Sequence, residues 1–187
     1  HIFSPHGASD PELMLAVVER LLEHGDYRWL QLISEQIRHF LIGARKTNTS
    51  ALLKLVERLK TDPYCAPLAI RLAVALQDWD QVYNLLEEFR SRELLYSDLL
   101  QSFEQGLRFM SQFNQAYQQL ETRLASHSDG RFRRLALTLL QEEARQHGWQ
   151  PSLLKRLQHY RADPDPQVAG PAHFIFPPES AAEGDEE

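Results

Sequence analysis

Three consecutive residues, His127-Ser128-Asp129, supply the side-chain types of a nucleophilic triad. A working triad is assembled by the fold, with the base in reach of the nucleophile and a third group orienting the base. Adjacent in a turn, these three read instead as a solvated helix end, with Ser128 or Asp129 capping the next helix. The eight histidines form no HxxxH pair, none follows a CxxC, and Cys65 has no histidine or acid at ligand spacing. The expected metal content is therefore none. There is no GxSxG, no glycine-rich phosphate loop, and no pair of acids set apart from ordinary helix-surface charge. These residues predict a chain without catalytic groups or cofactor, and not an enzyme.

Two other clusters could bind rather than react. Arg131-Phe132-Arg133-Arg134 is the densest basic run and opens a helix, where cations oppose the helix dipole. Arginine grips carboxylates with two parallel N–H groups. Arg131, Arg133 and Arg134 are thus a candidate site for a partner's acidic segment, or for this chain's own Asp185, Glu186 and Glu187. Phe174-Ile175-Phe176-Pro177-Pro178 is an apolar island in a polar stretch. It is expected to pack in cis over Leu153, Leu157 and Tyr160, with a short docking motif as the other reading. Trp29, Trp79 and Trp149 sit just after turns and read as core wedges rather than a ligand cage.

Whatever positions these residues is built from 187 residues, 43% hydrophobic, with one cysteine and a net charge of −6. That length buries about 70% of the unfolded surface without staples, and a lone cysteine excludes an internal disulfide. The negative charge and only four lysines argue against nucleic acid as a partner. No apolar run is long enough for a membrane span, so no membrane insertion by this segment is expected. The chain starts at His1 rather than Met, which leaves room for a targeting segment or further domain upstream. The compartment is not written in the residues, and the cytoplasm is the default.

Helical periodicity runs nearly end to end, with no strand-like alternation. After a lead-in over residues 1–10, Ser9-Asp10 caps a helix that has Pro11 in its first position. Its stripe is Leu13, Val17 and Leu21 beside Met14, Val18 and Leu22. Further helices are expected at 27–44, 49–60, 64–77, 79–92, 95–110, 113–127, 131–147 and 150–161, mostly joined by short turns that make neighbours antiparallel. The expected fold is all-α: about nine helices in an antiparallel hairpin array over residues 11–162, then an irregular Pro- and acid-rich tail at 163–187.

A shift of 34 residues lays Asp78-Trp79-Asp80-Gln81-Val82-Tyr83-Asn84-Leu85-Leu86-Glu87 over Gln112-Phe113-Asn114-Gln115-Ala116-Tyr117-Gln118-Gln119-Leu120-Glu121. Gln, Tyr, Leu and Glu recur, an aromatic residue follows each turn, and Val82 or Ala116 comes three places later. This pattern resembles the tetratricopeptide repeat. The resemblance implies an α-solenoid with Ala116 at a close helix–helix approach. It also implies a concave face bearing Tyr64, Arg71, Gln101, Gln105 and Arg108. The family's small first-helix residue falls here on Ile70 and Glu104 instead. By this analogy the chain is a non-enzymatic scaffold or adaptor that binds a peptide or partner subunit, alone or as a subunit of a larger complex. The alternative is an accessory or regulatory domain of a larger enzyme or membrane-associated assembly.

Overall fold

The computed structural model describes residues 11–25, 49–95, 97–108 and 114–178. Among them are nine helices and no strand. Eight fall where periodicity places them, and the ninth lies in the segment read as an irregular tail. The helix expected at 27–44 lies outside the described residues, as do Trp29 and the acidic end. The chain divides into two compact units, 1–111 and 112–187.

The first unit holds α1 (Pro11–His24), α2 (Thr49–Leu59), α3 (Ala66–Leu76), α4 (Trp79–Ser91) and α5 (Ser97–Leu107). Gly25, at φ +65°, ends α1 in the left-handed region and donates its N–H to Leu22 O. Helix α2 buries Leu52, Leu55, Val56 and Leu59, the i, i+3, i+4, i+7 stripe of an amphipathic helix. Helix α3 is apolar on most of its circumference, with Ala66, Ala69, Ile70, Leu72, Ala73 and Val74 buried. It packs against α2, α4 and α5. Asp78 caps α4 by accepting from Gln81 N at 3.1 Å, and Trp79 follows as a buried wedge. Leu99, Phe103 and Leu107 form the core stripe of α5. At the end of α4, Arg92 donates to the carbonyls of Lys60 (2.6 Å) and Thr61 (3.2 Å). Lys60 Nζ lies 3.2 Å from Glu88, a second tie between the ends of α2 and α4.

The close approach in this unit is made by Gly106. A Cβ there would lie 2.9 Å from both Arg71 O and Val74 Cβ, so α5 lies against the α3 backbone. The repeat pattern puts a small residue elsewhere, at Ala116, and there the structure corrects it. Ala116 is exposed and Tyr117 beside it is buried. The buried positions of the helices Trp79–Ser91 and Gln115–Ala125 match in sequence at a shift of 35, not 34: Val82 with Tyr117, Leu85 with Leu120, Leu86 with Glu121 and Phe89 with Leu124. The letters match one residue away from where the cores match. One residue on a helix is a 100° turn, enough to move a side chain from core to solvent.

The second unit holds α6 (Gln115–Ala125), α7 (Gly130–His147), α8 (Pro151–Arg161) and α9 (Pro166–His173). Helix α7 packs against the other three and buries ten residues, Phe132, Leu135 and Leu139 among them. Asn114 caps α6 by accepting from Tyr117 N, and Asp129 caps α7 by accepting from Arg131 N. Helix α9 is the departure from the expected tail. Its sequence carries proline where a breaker would stand, but Asp165 caps it by accepting from Gln167 N at 2.9 Å, and Pro166 takes the first turn. Val168 and Ala172 are buried, and α9 packs on α7 and α8.

Candidate interaction surfaces

The residues expected on a concave face are partly brought together. Arg71 Nη1 donates to Gln105 Oε1 at 3.0 Å, linking α3 to α5 across 34 residues of sequence. Gln101 lies one turn before Gln105 on α5, and Arg108 directly follows the helix; both are exposed. All three lie opposite the Leu99–Phe103–Gly106–Leu107 core side. Tyr64 is not on a helix: it occupies the turn before α3, 79% exposed, and its N–H donates to Asp62 Oδ1. Asp62-Pro63 delays the start of α3 to Ala66, which leaves Tyr64 outside it.

The arginine cluster is engaged within the chain. Arg131 closes on Asp129, its own helix cap, through Nε (3.0 Å) and Nη2 (2.6 Å). Arg133 grips Asp163 with two N–H groups, Nε at 2.8 Å and Nη2 at 3.0 Å, and also donates to the carbonyls of His127 and Ser128. Arg134 is half-buried. The carboxylate that Arg133 binds comes from the α8–α9 turn; Asp185, Glu186 and Glu187 lie outside the described residues. Its hydrogen bonds from Arg133 hold Asp163 below the usual carboxylate range, against the opposing effect of burial. Next to it, the Asp165 carboxylate occupies the space a Cβ on Gly130 would need. The first turn of α7 therefore receives acid from two directions, which offsets the dipole cost of the arginines. His127 stacks on Phe132 with ring centroids 3.9 Å apart, and the triad letters form a cap, as their adjacency implies.

A groove of about 870 Å³ is lined by α6 and α8, with Glu143 contributed by α7. Within it, Glu121 is 5% exposed. Arg156 closes on Glu121 with two N–H groups, through Nε at 3.1 Å and through Nη2, which also donates to Glu143 at 3.0 Å. Tyr160 OH donates to Glu121 Oε1 at 3.1 Å. Tyr117, a turn before Glu121, donates its hydroxyl to Leu139 O. Burial pushes Glu121 above the ordinary carboxylate value, and Arg156 and Tyr160 pull it back. Burial also weakens the charged form of Arg156, but Glu121 and Glu143 outweigh it and keep the guanidinium charged. Lys155 and His159 stand exposed at the rim.

The one sequence cue to this cluster is that Glu121 interrupts the stripe Tyr117, Leu120, Leu124 at i+4 from Tyr117. Nothing in the spacing of letters marks Arg156. Cys65 is buried, and burial raises its thiol to about 12, so it is a protonated core residue at neutral pH. Among the described residues, no group of three or more His, Cys, Asp and Glu side chains is placed to hold a metal ion, and no helix is long and apolar enough to cross a membrane.

The apolar island does not pack as expected. Phe174 and Phe176 are each 80% exposed, while Val168 and Ala172 of α9 take the buried places. No protein family model, characterised protein or solved structure matches this chain.

Proposed function

We propose that this chain is a non-enzymatic helical interaction module, with an antiparallel hairpin array of the tetratricopeptide kind, that holds a peptide or partner subunit on the polar face of α3 and α5. The observation that carries this reading is the Arg71–Gln105 hydrogen bond. In a stack of helical hairpins, the first helices of successive repeats lie side by side, so equivalent positions meet one repeat apart. Arg71 and Gln105 are 34 residues apart, within one residue of the 35 at which the buried faces of α4 and α6 align. Gln101 and Arg108 extend the row with groups that can reach a partner's carbonyls and carboxylates.

The test is quantitative pull-down from the native source, with the intact chain and a Gln101→Ala/Arg108→Glu variant as baits. Both positions are exposed, so the variant should keep its stability to within about 0.5 kcal/mol. A partner retained by the intact chain and lost by the variant supports the reading. A partner captured equally by both, or by neither, places the working surface elsewhere.

A further inference from the structure

We infer that Phe174 and Phe176 form a preorganised docking element for a partner protein that offers an apolar cleft rimmed by basic side chains. The element is independent of the α3–α5 face. Three observations carry it.

The first is exposure against context. Each phenylalanine is 80% exposed, although the residues around them are held. Val168 and Ala172 are buried on one side, and Ile175 and Pro177 between and after them are half-buried. Exposure alternates along 174–177, so the segment shows its phenylalanines outward while the intervening residues lie toward the unit. Two large aromatic side chains are thus kept out of a core that has taken their neighbours, which leaves them available for burial against a partner.

The second is how the segment is held. Arg161, at the end of α8, donates through Nε to Ala172 O at 3.2 Å and through Nη2 to Ile175 O at 2.6 Å. One guanidinium thus fixes the chain on both sides of Phe174. Phe176 precedes Pro177, and Pro177 precedes Pro178, which confines both residues to extended conformations. A segment fixed in this way loses little conformational entropy when a partner covers it.

The third is charge. The nine residues after Pro178 carry Glu179, Glu183, Asp185, Glu186 and Glu187 and no basic residue. The docked segment continues in sequence directly into these five acids, so a basic rim is the complementary partner. A second copy of this chain is a poor candidate, because each copy carries a net charge of −6 and Arg131 and Arg133 are already closed on Asp129 and Asp163.

The experiment places photoreactive benzoylphenylalanine at position 176 of the intact chain, irradiates it in extract of the native source, and maps the cross-linked peptide on the adduct. The expected result is one discrete adduct whose contact peptide combines apolar residues with lysine or arginine. Purified, that partner should bind at least about tenfold more weakly to Phe174→Ser/Phe176→Ser. It should bind severalfold more weakly when the five acids are changed to Gln and Asn, or when salt is raised. Arg161→Ala, which keeps both phenylalanines, should also weaken binding, because it loosens their presentation. Thermal melts show that each variant is folded. The inference is overturned by the absence of an adduct, by an adduct with a second copy, by binding indifferent to the acids, or by phenylalanine-dependent sedimentation with phosphatidylcholine vesicles.

Discussion

Glu121 stands in α6 where Leu86 stands in α4, and its burial is tolerated because Arg156 and Tyr160 meet both carboxylate oxygens. Burial still lifts its pKa above the ordinary 4.5. The folded protein therefore binds that proton more tightly than the unfolded chain, and ionisation of Glu121 works against folding as pH climbs past 4.5. Removing the guanidinium should widen this gap. Arg156→Ala is expected to cost about 3 kcal/mol at neutral pH, the low end for breaking a buried pair because Arg156 is itself 32% exposed. Near pH 4, where Glu121 keeps its proton, the cost should shrink to the lost packing. Urea midpoints measured across that range check this, and a deficit independent of pH would show that Glu121 is not the group that suffers. Periodicity contains the place of Glu121, since it lies within an apolar stripe. It does not contain the partner, because Arg156 comes from a different helix 35 residues on, and no local rule relates the two.

At the scale of helices, close approach decides what a position tolerates. Gly106 would gain close to 1 kcal/mol of helix propensity on becoming alanine. Its new methyl would lie 2.9 Å from the Arg71 carbonyl oxygen, a backbone atom that can move only with α3. Gly106→Ala is expected to destabilise by about 1–2 kcal/mol net, read as a lower melting temperature; a rise would mean that α5 stands off from α3. The elements themselves were largely legible: the positions of eight helices, the cap at Asp129 and the wedge at Trp79 all follow from local chemistry. Packing was less so. The 34-residue match of letters points to Ala116 as the small contact residue, whereas the cores align at 35 and the tight contact falls on Gly106. Asp165-Pro166 reads as the opening of a tail because cap-and-proline also resembles a breaker. Only the apolar spacing of Val168 and Ala172 separates the two, and that signal is short.

At the scale of the whole chain, two units each close a core of their own, and the second is closed by residues that come late in it. Arg133 and Asp163, whose side chains are 15% and 7% exposed, join the start of α7 to the turn that leads into α9. Asp163 is held below its ordinary 3.8, first by hydrogen bonds from Arg133. Its contribution is fully present above that value and is lost as pH falls through the depressed one. Asp163→Asn should therefore cost about 2 kcal/mol at neutral pH and almost nothing in strong acid; its cost fades only below 3.8, whereas that of Arg156→Ala has already shrunk near pH 4. Equilibrium unfolding against pH separates the two. An Asp163→Asn protein as stable as the original at neutral pH would mean that the pair does not fasten α9.

The same fastening has a consequence for the order of events during synthesis. Arg133 leaves the ribosome 30 residues before its carboxylate does, a delay of about 2–6 s at 5–20 residues per second. Partway through that interval α7 is completed at His147, while α9 at Pro166–His173 has yet to follow, and the apolar surface that Val168 and Ala172 will cover has no cover of its own. The second unit thus begins its existence exposed, and a chaperone that shields nascent apolar surface has its natural window there.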